Sequence, residues 1–514
     1  MFILRCLVLI AVILGIAWVL GRMIYALPQT EGRAIEEALP FDPSTTFGQQ
    51  AVKAQNEHPG LSGVVPLPDP SQALEARIQL AAMSERSLDV MYYIWHDDVS
   101  GMLLLEALRR AAERGVRVRL LLDDNGIKGM DPMLAALNQM PNFNVRLFNP
   151  SSIRRPKMAG YALSPIRMNR RMHNKAFIVD GAAAIVGGRN IGDEYFAIGD
   201  VPAYLDLDVL GVGKVVRDTE IVFDAYWNSA SVIELEQIVK GSGSMAVYDA
   251  ALTRAINSVT ADQFDTDDEN NPVRRLRKDQ VPLEWTHVQV VADDPAKGAG
   301  HIPRKGLMIS QLGKILGEVD TSMDMISAYF VPAQFGQRYF SRLAENGVEV
   351  TIMTNSWQAT DVPMVHAGYV KYRRELLEAG VSLLELRPMA GQPSGRDELN
   401  PIGSSGASLH AKTFSIDDRR VFIGSYNFDP RSALLNCEMG FLIDSPTMAQ
   451  NSRESLQVLK QRSYQPFLDE DGKMRWREIN QDGSETIHAH EPDLRLVDRV
   501  AVYVLNVLPI EWLL

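Results

Sequence analysis

The chain has 514 residues, 46% hydrophobic and 23% charged, a globular composition that is too long for one ordinary core and neither disordered nor fibrous. Its 52 basic residues against 64 acidic ones give a net charge of −12, which argues against a protein whose main partner is the phosphate backbone of nucleic acid. Two cysteines, Cys6 and Cys437, make no disulfide framework. From Cys6 to Gly21 the segment CLVLIAVILGIAWVLG carries no charge between Arg5 and Arg22. With both arginines snorkelling, the stretch from Phe2 to Leu27 is long enough for a hydrocarbon core of roughly 30 Å. No small-x-small cleavage site follows it, so an uncleaved transmembrane anchor (1–27) is favoured over a signal peptide. Arg5 on the amino-terminal side then places the rest of the chain outside the inner membrane. Residues 28–62 are polar, with scattered Pro and Gly, and read as a tether.

Ordered structure is expected from about residue 63. Asp69-Pro70 opens a helix over ALEARIQLAAM, and SLDVMYYIW (87–95) reads as a strand. Ser100 is the expected cap of a helix ending at Gly115, and the apolar strand VRVRLLL follows, so helices alternate with buried strands in an α/β manner. The same order then recurs. SLDVMYYIW matches MDMISAYFV (323–331), RGVRVRLLLDD (114–124) matches NGVEVTIMTNS (346–356), and VRLFNP (145–150) resembles LLELRP (383–388). In RMHNKAFIVDGAAAIVGGRNIGDEYF (171–196) and SLHAKTFSIDDRRVFIGSYNFDPRSA (408–433), His, Lys, Asp, Gly and Asn recur at one constant offset. The chain therefore reads as two copies of one domain, 63–240 and 286–465. An acidic connector (241–285) containing DQFDTDDENN joins them, and a tail (466–514) follows.

Each copy opens an apolar strand with His-x-Lys, His173/Lys175 and His410/Lys412, and the period of two puts both side chains on one face. That pairing suits phosphoryl chemistry: a neutral imidazole attacks phosphorus while the ammonium group holds its non-bridging oxygens. A single His-x-Lys is weak evidence. Two, with strand, Gly turn and Asn equally spaced, are not plausibly chance. Between Ile153 and Lys175 lie seven basic residues and no acid (Arg154, Arg155, Lys157, Arg167, Arg170, Arg171, Lys175), interleaved with apolar ones. This loop suits anionic lipid headgroups, the alternative being a solvated loop. The remaining histidines show no ligand spacing, and no metal or cofactor is expected.

The pattern H-x-K-x4-D-x6-G-[GS]-x-N resembles the phospholipase D superfamily over roughly residues 63–465. Longer runs, among them YYIWHDDVSG, LNCEMGF, VHAGY and the terminal LPIEWLL, are similar to bacterial cardiolipin synthases of the C type. The resemblance implies two tandem phospholipase D-like α/β domains, mixed sheets flanked by helices, packed about a pseudo-twofold axis with one shared, metal-free site. It implies His173 as nucleophile and His410 as acid/base, with Lys175, Lys412, Asn190 and Asn427 on the phosphoryl oxygens and Ser425 as a further candidate there. Asp180 and Asp417 match the motif but close a strand. Glu438, and Asp206 with Asp208 as its competitor, match the acids that hold the imidazoles. Two departures stand out: Gly188 in the first copy where the second has Ser425, and one membrane helix where such synthases more often carry a pair. The implied reaction moves a phosphatidyl group from phosphatidylethanolamine or phosphatidylglycerol onto phosphatidylglycerol, forming cardiolipin. Hydrolysis by the same machinery, a nuclease and a non-enzymatic lipid scaffold are the competing functions. The charge and the apolar helix disfavour the nuclease, and two intact His/Lys pairs disfavour the scaffold.

Overall fold

The computed structural model describes residues 1–199, 203–241, 243–258, 273, 275, 283–303, 306–315, 319–388, 409–480, 482–492, 494, 495, 498, 499, 502 and 511. The acidic run DQFDTDDENN, the approach to His410 (GQPSGRDELNPIGSSGAS) and most of the apolar C-terminal end lie outside them. Nine strands form the first sheet: β1 (Ser62–Leu67), β2 (Ser87–Ile94), β3 (Arg117–Gly126), β4 (Phe143–Phe148), β5 (Ala176–Val179), β6 (Ala183–Gly187), β7 (Asp208–Gly213), β8 (Val232–Glu234) and β9 (Glu284–Thr286). Their spatial order is β8-β4-β3-β2-β5-β6-β7-β1-β9. The second sheet has β10 (Val288–Ala292), β11 (Ser322–Ser327), β12 (Glu349–Asn355), β13 (Ser382–Leu386), β14 (Lys412–Ile416), β15 (Arg420–Gly424), β16 (Met439–Asp444), β17 (Ser463–Leu468), β18 (Met474–Ile479) and β19 (Glu485–His488). Its order is β10-β16-β15-β14-β11-β12-β13-β17-β18-β19.

The repeat in the sequence is thus a repeat in topology. Strands β2, β3 and β4 run parallel, and β5 returns antiparallel beside β2. Strands β11, β12 and β13 do the same, with β14 beside β11. The parallel strands are apolar runs buried on both faces, as crossover helices require. Helices Pro70–Met83 and Val99–Glu113 pack together over the first sheet. The cap of the second is Asp98, whose carboxylate accepts from Gly101 N, rather than Ser100, whose hydroxyl instead donates to Asp98. Helix Lys214–Trp227 covers the opposite face and reaches β10 of the second sheet. A core cluster there mixes Ile178, Val186, Val209 and Phe223 of the first copy with Val421, Ile423, Met439 and Phe441 of the second. Each such side chain contributes on the order of 1.5–3 kcal/mol by burial, so the two halves share one apolar seam.

Three boundaries read from the sequence differ from the sheets. The polar stretch 28–62 is laid along the first domain: Glu36 accepts from the buried Arg146 and from Trp227, and Arg33 donates to the carbonyls of Val232 and Ser229. Its polar residues are partners for buried arginines, which composition does not reveal. Within 241–285, helix Met245–Ser258 buries Tyr248 in the first core and β9 joins the first sheet. Beyond 465, β17–β19 extend the second sheet, and the described part of the tail packs on helix Pro363–Glu378, where Glu491 pairs with His366 and Arg373. The N-terminal helix Phe2–Ile24 is long and apolar enough to cross a membrane, and its apolar window is unburied.

Candidate active site

Strands β5 and β14 are interior antiparallel members of their sheets, β5 beginning just after its His-x-Lys and β14 at the lysine of its own. Both strand openings are stitched to the opposite half. His173 N donates to Cys437 O and Cys437 N to Arg171 O, both at 2.8 Å, while His410 N and Ala411 N both donate to Leu205 O at 2.9 Å. These short bridges bring each histidine beside a carboxylate of the other copy. His173 Nδ1 lies 2.8 Å from Glu438 Oε2, and His410 Nδ1 lies 2.6 Å from Asp206 Oδ2. The acids are exchanged between the halves, a pairing that linear spacing within one copy does not show.

Both imidazoles are nearly buried, at 7% and 9% exposure. Burial is the chief reason that His173 is pushed down to about 4 and His410 to about 3, and the nearby lysines act in the same direction. Burial raises Glu438 and Asp206, but their histidines and the two lysines outweigh it and hold both carboxyls below their ordinary range. Each pair is therefore a neutral imidazole giving its Nδ1–H to a carboxylate, which leaves the Nε2 lone pair free to attack. Lys175 and Lys412 donate to the carbonyls of His173 and His410. Burial pushes them down to about 7 and about 8, so a bound phosphate would secure their charge.

The acids are not equivalent. Asp206 Oδ1 accepts from Leu207 N, and a Cβ on Gly188 would stand 2.1 Å from that oxygen. Only glycine allows the shorter acid to sit there. Glu438 accepts from Ser425 Oγ at 2.6 Å and from Ser432 Oγ at 2.9 Å, and its backbone N–H is held by Asp293, itself paired with Lys297. Ser425 thus serves Glu438, in place of the contact with phosphate expected for it.

Asp180 and Asp417 do not join the cluster. Asp180 sits at the far end of β5, where its carboxylate accepts from the backbone N–H of Glu85, Arg86 and Ser87. Asp417 does the same for Asp320, Thr321 and Ser322. The strand between each His and its Asp spans on the order of 20 Å, so the catalytic reading of these aspartates is corrected to a structural one. Asp208 is consumed by Arg77 and Arg189, which leaves Asp206 as the acid of the first copy. Asn190 Oδ1 accepts from Ile94 N and its amide donates to Tyr195 Oη, while Asn427 Oδ1 accepts from Tyr329 N. Both tie the end of the strand beside the site.

Sequence reasoning missed the aromatic walls. Tyr93 lies edge-on to His173 with centroids 5.0 Å apart, and Tyr195 and Tyr204 flank His410 at 5.0 and 5.3 Å. It also missed Asp361, raised by burial, which accepts from Tyr329 Oη at 2.6 Å and faces Lys412 and Tyr204 closely enough to shift both. These residues carry no motif of their own. His366 makes no part of the site, being tied to Glu491. The basic loop is also less charged than its composition suggests. Arg154 and Lys157 pair with Asp124, Arg154 also with Asp131, and Arg171 with Asp123, acids contributed by the end of β3 and the start of helix Asp131–Leu137.

A family model described as "Cardiolipin synthase, PLD-like domain" matches residues 77–200 and 313–460, which include both His-x-Lys segments and Glu438. The chain belongs to the cardiolipin synthase family. Cardiolipin synthase C of Escherichia coli (strain K12) is 45% identical over 462 residues, 89% of this chain and 98% of that protein. Cardiolipin synthase 2 of Staphylococcus epidermidis (strain RP62A) is 26% identical, covering 72% of this chain and 62% of that one. The phosphatidylserine synthase of Haemophilus influenzae Rd KW20 has the same fold, with a TM-score of 0.56 at 14% identity, covering 90% of this chain and all of that one. Members of the cardiolipin synthase family are phosphatidyltransferases of the phospholipase D type. Asp206 lies just past the first matched stretch, so the exchanged pairing with His410 rests on the geometry.

Proposed function

We propose that the chain makes cardiolipin by transferring a phosphatidyl group onto phosphatidylglycerol through a phosphohistidine. The observation that carries this reading is the pair of neutral imidazoles, each oriented by the other half's carboxylate, beside two lysines. His173 Nε2 attacks the donor phosphorus, the bond from phosphorus to the headgroup oxygen breaks, and His410 gives a proton to the departing alkoxide. The hydroxyl of phosphatidylglycerol then attacks the phosphohistidine while His410 takes its proton, and His173 leaves as a neutral ring. His410 must be protonated in the first step. The negative charge of the arriving phosphodiester raises it from its value in the empty site. Lys175 and Lys412 hold the non-bridging oxygens, with Asn190 and Asn427 at their edge, and no step calls for a metal.

Asp361 favours phosphatidylethanolamine as donor, because a partly buried carboxylate among Tyr204 and Tyr329 on the His410 side suits a departing ammonium-bearing alcohol. The membrane-spanning helix, with the catalytic domains on the outer face of the inner membrane, keeps the site against the headgroup layer, where a lipid alcohol competes well with water. The test is product analysis of purified full-length protein in vesicles of labelled phosphatidylglycerol, with and without phosphatidylethanolamine. Cardiolipin with released ethanolamine or glycerol is expected. Phosphatidic acid as the dominant product would replace this reading with a hydrolytic phospholipase D. Orientation is read by a C-terminal alkaline phosphatase fusion, expected to be active; activity only from a cytoplasmic reporter would reverse it.

A further inference from the structure

Three arginines near the base of the N-terminal helix are not tied to the acids that pair with Arg154, Lys157 and Arg171. Trp18 Nε1 donates to Ala162 O at 3.0 Å, and Gly21 lies so close to Leu163 that an added Cβ would stand 3.0 Å from its Cδ2. The helix thus rests on the short helix Ala159–Leu163, which Pro165–Met168 follows. Beside them is a cavity of about 550 Å³ whose lining includes the apolar Trp18, Leu163 and Ile166 and the basic Arg22, Arg167 and Arg170. Among the described residues no carboxylate pairs with any of the three arginines. Arg167 is fixed by a bond from Nη2 to Pro150 O, but its Nη1 is buried with no acceptor, and so is Arg170 Nε. The Arg22 guanidinium stacks over Trp18 at 4.8 Å. Burial, with Arg171 nearby, pushes Arg167 down to about 10, the mark of a cation in want of a counter-charge. Met158 and Ile166, 70% and 71% exposed, project from the same short segment beside the unburied helix, as side chains entering a headgroup layer do.

We propose that this groove is a binding site for one anionic phospholipid of the bilayer, separate from the histidine site: its phosphate sits on Arg167, Arg170 and Arg22 and its chains lie along Trp18, Leu163 and the helix. Unmet guanidinium donors are answered by phosphate oxygens, and the apolar wall continues into the lipid-facing helix. The volume suits a headgroup and the first part of its chains. The inference rests on the membrane anchoring proposed above and is independent of the transfer chemistry.

The experiment uses the full-length His173→Ala protein, which in the proposed mechanism lacks its nucleophile, in phosphatidylcholine nanodiscs holding a minor fraction of brominated phosphatidylglycerol or brominated phosphatidylcholine. Trp18 fluorescence, isolated by difference from a Trp18→Phe control, is the readout. Two or three arginines predict local enrichment of the anionic lipid on the order of tenfold or more, seen as excess quenching that R167Q/R170Q removes. Equal quenching by the two brominated lipids would overturn the site, as would an excess that survives R167Q/R170Q. Should that double variant fail to fold, Arg22→Gln lies on the helix outside both domain cores: a reduced excess supports the site, and an unchanged one overturns it.

Discussion

At the scale of single residues, the site separates its two histidines by the company each keeps. Glu438, braced by Ser425 and Ser432, holds His173, which attacks in the proposed mechanism, and Asp206 holds His410, which in that mechanism moves protons. Glu438→Gln should therefore prevent a phosphatidyl adduct from forming on His173. Asp206→Asn should allow the adduct, with a fast-leaving donor, but stall its transfer, each variant losing about 10²-fold or more in turnover. Mass spectrometry of the quenched protein distinguishes them, and an adduct on His410 would reverse the roles. Gly188→Ser should be far more damaging than Ser425→Gly, because the first drives Cβ into Asp206 whereas the second removes a donor to Glu438 and an acceptor for Met439 N without a clash. In the free enzyme kcat/KM should be bell-shaped. It falls above about pH 7–8 as Lys175 and Lys412 lose their charge, and below about pH 4 as His173 takes up a proton and loses its attacking lone pair. A profile still rising at pH 9 would contradict that assignment.

At the scale of elements, the same motif supplies both chemistry and architecture. The histidine lies just before each interior strand and the aspartate at its end, where it collects backbone N–H groups of the preceding turn. Asp180→Ala should cost about 1–3 kcal/mol of stability and lower the melting temperature, with turnover per folded molecule unchanged. Lost turnover at an unchanged melting temperature would return Asp180 to the reaction. What the sequence made legible were the features with a period: the alternation of helix and strand, the repeated His-x-Lys, and the two acids in their repeated segments. What it hid depends on distance across the fold. Glu36 meets Arg146 through a polar stretch that reads as linker, Asp123 and Asp124 pair with Arg171, Arg154 and Lys157 of a loop that reads as basic, and Tyr204 reaches His410 and Asp361 reaches Lys412 from segments with no recurring pattern. The exchange of Glu438 and Asp206 is of this kind, since within either copy the carboxylate and its own histidine look like natural partners.

At the scale of the molecule, the N-terminal helix, the stretch after it and the first domain form one continuous assembly, with Trp18, Arg33 and Glu36 as fastenings. Removing residues 1–27 should leave both cores and the histidine pairs in place, so adduct formation on a soluble short-chain donor should persist. Cardiolipin formation in vesicles should fall by about tenfold or more, because the site is no longer held at the lipid surface. Equal vesicle activity with and without the helix would remove it from the mechanism. The seam between the halves bears on ancestry. A duplicated unit whose histidine is completed by its twin's carboxylate has no finished site alone, so its forerunner had to work as a symmetric pair of identical chains. In that pair any change of acid altered both imidazole contacts at once. In a single chain that constraint is absent: one copy holds aspartate with Gly188 and the other glutamate with Ser425, and a change in either is felt by the opposite half's histidine.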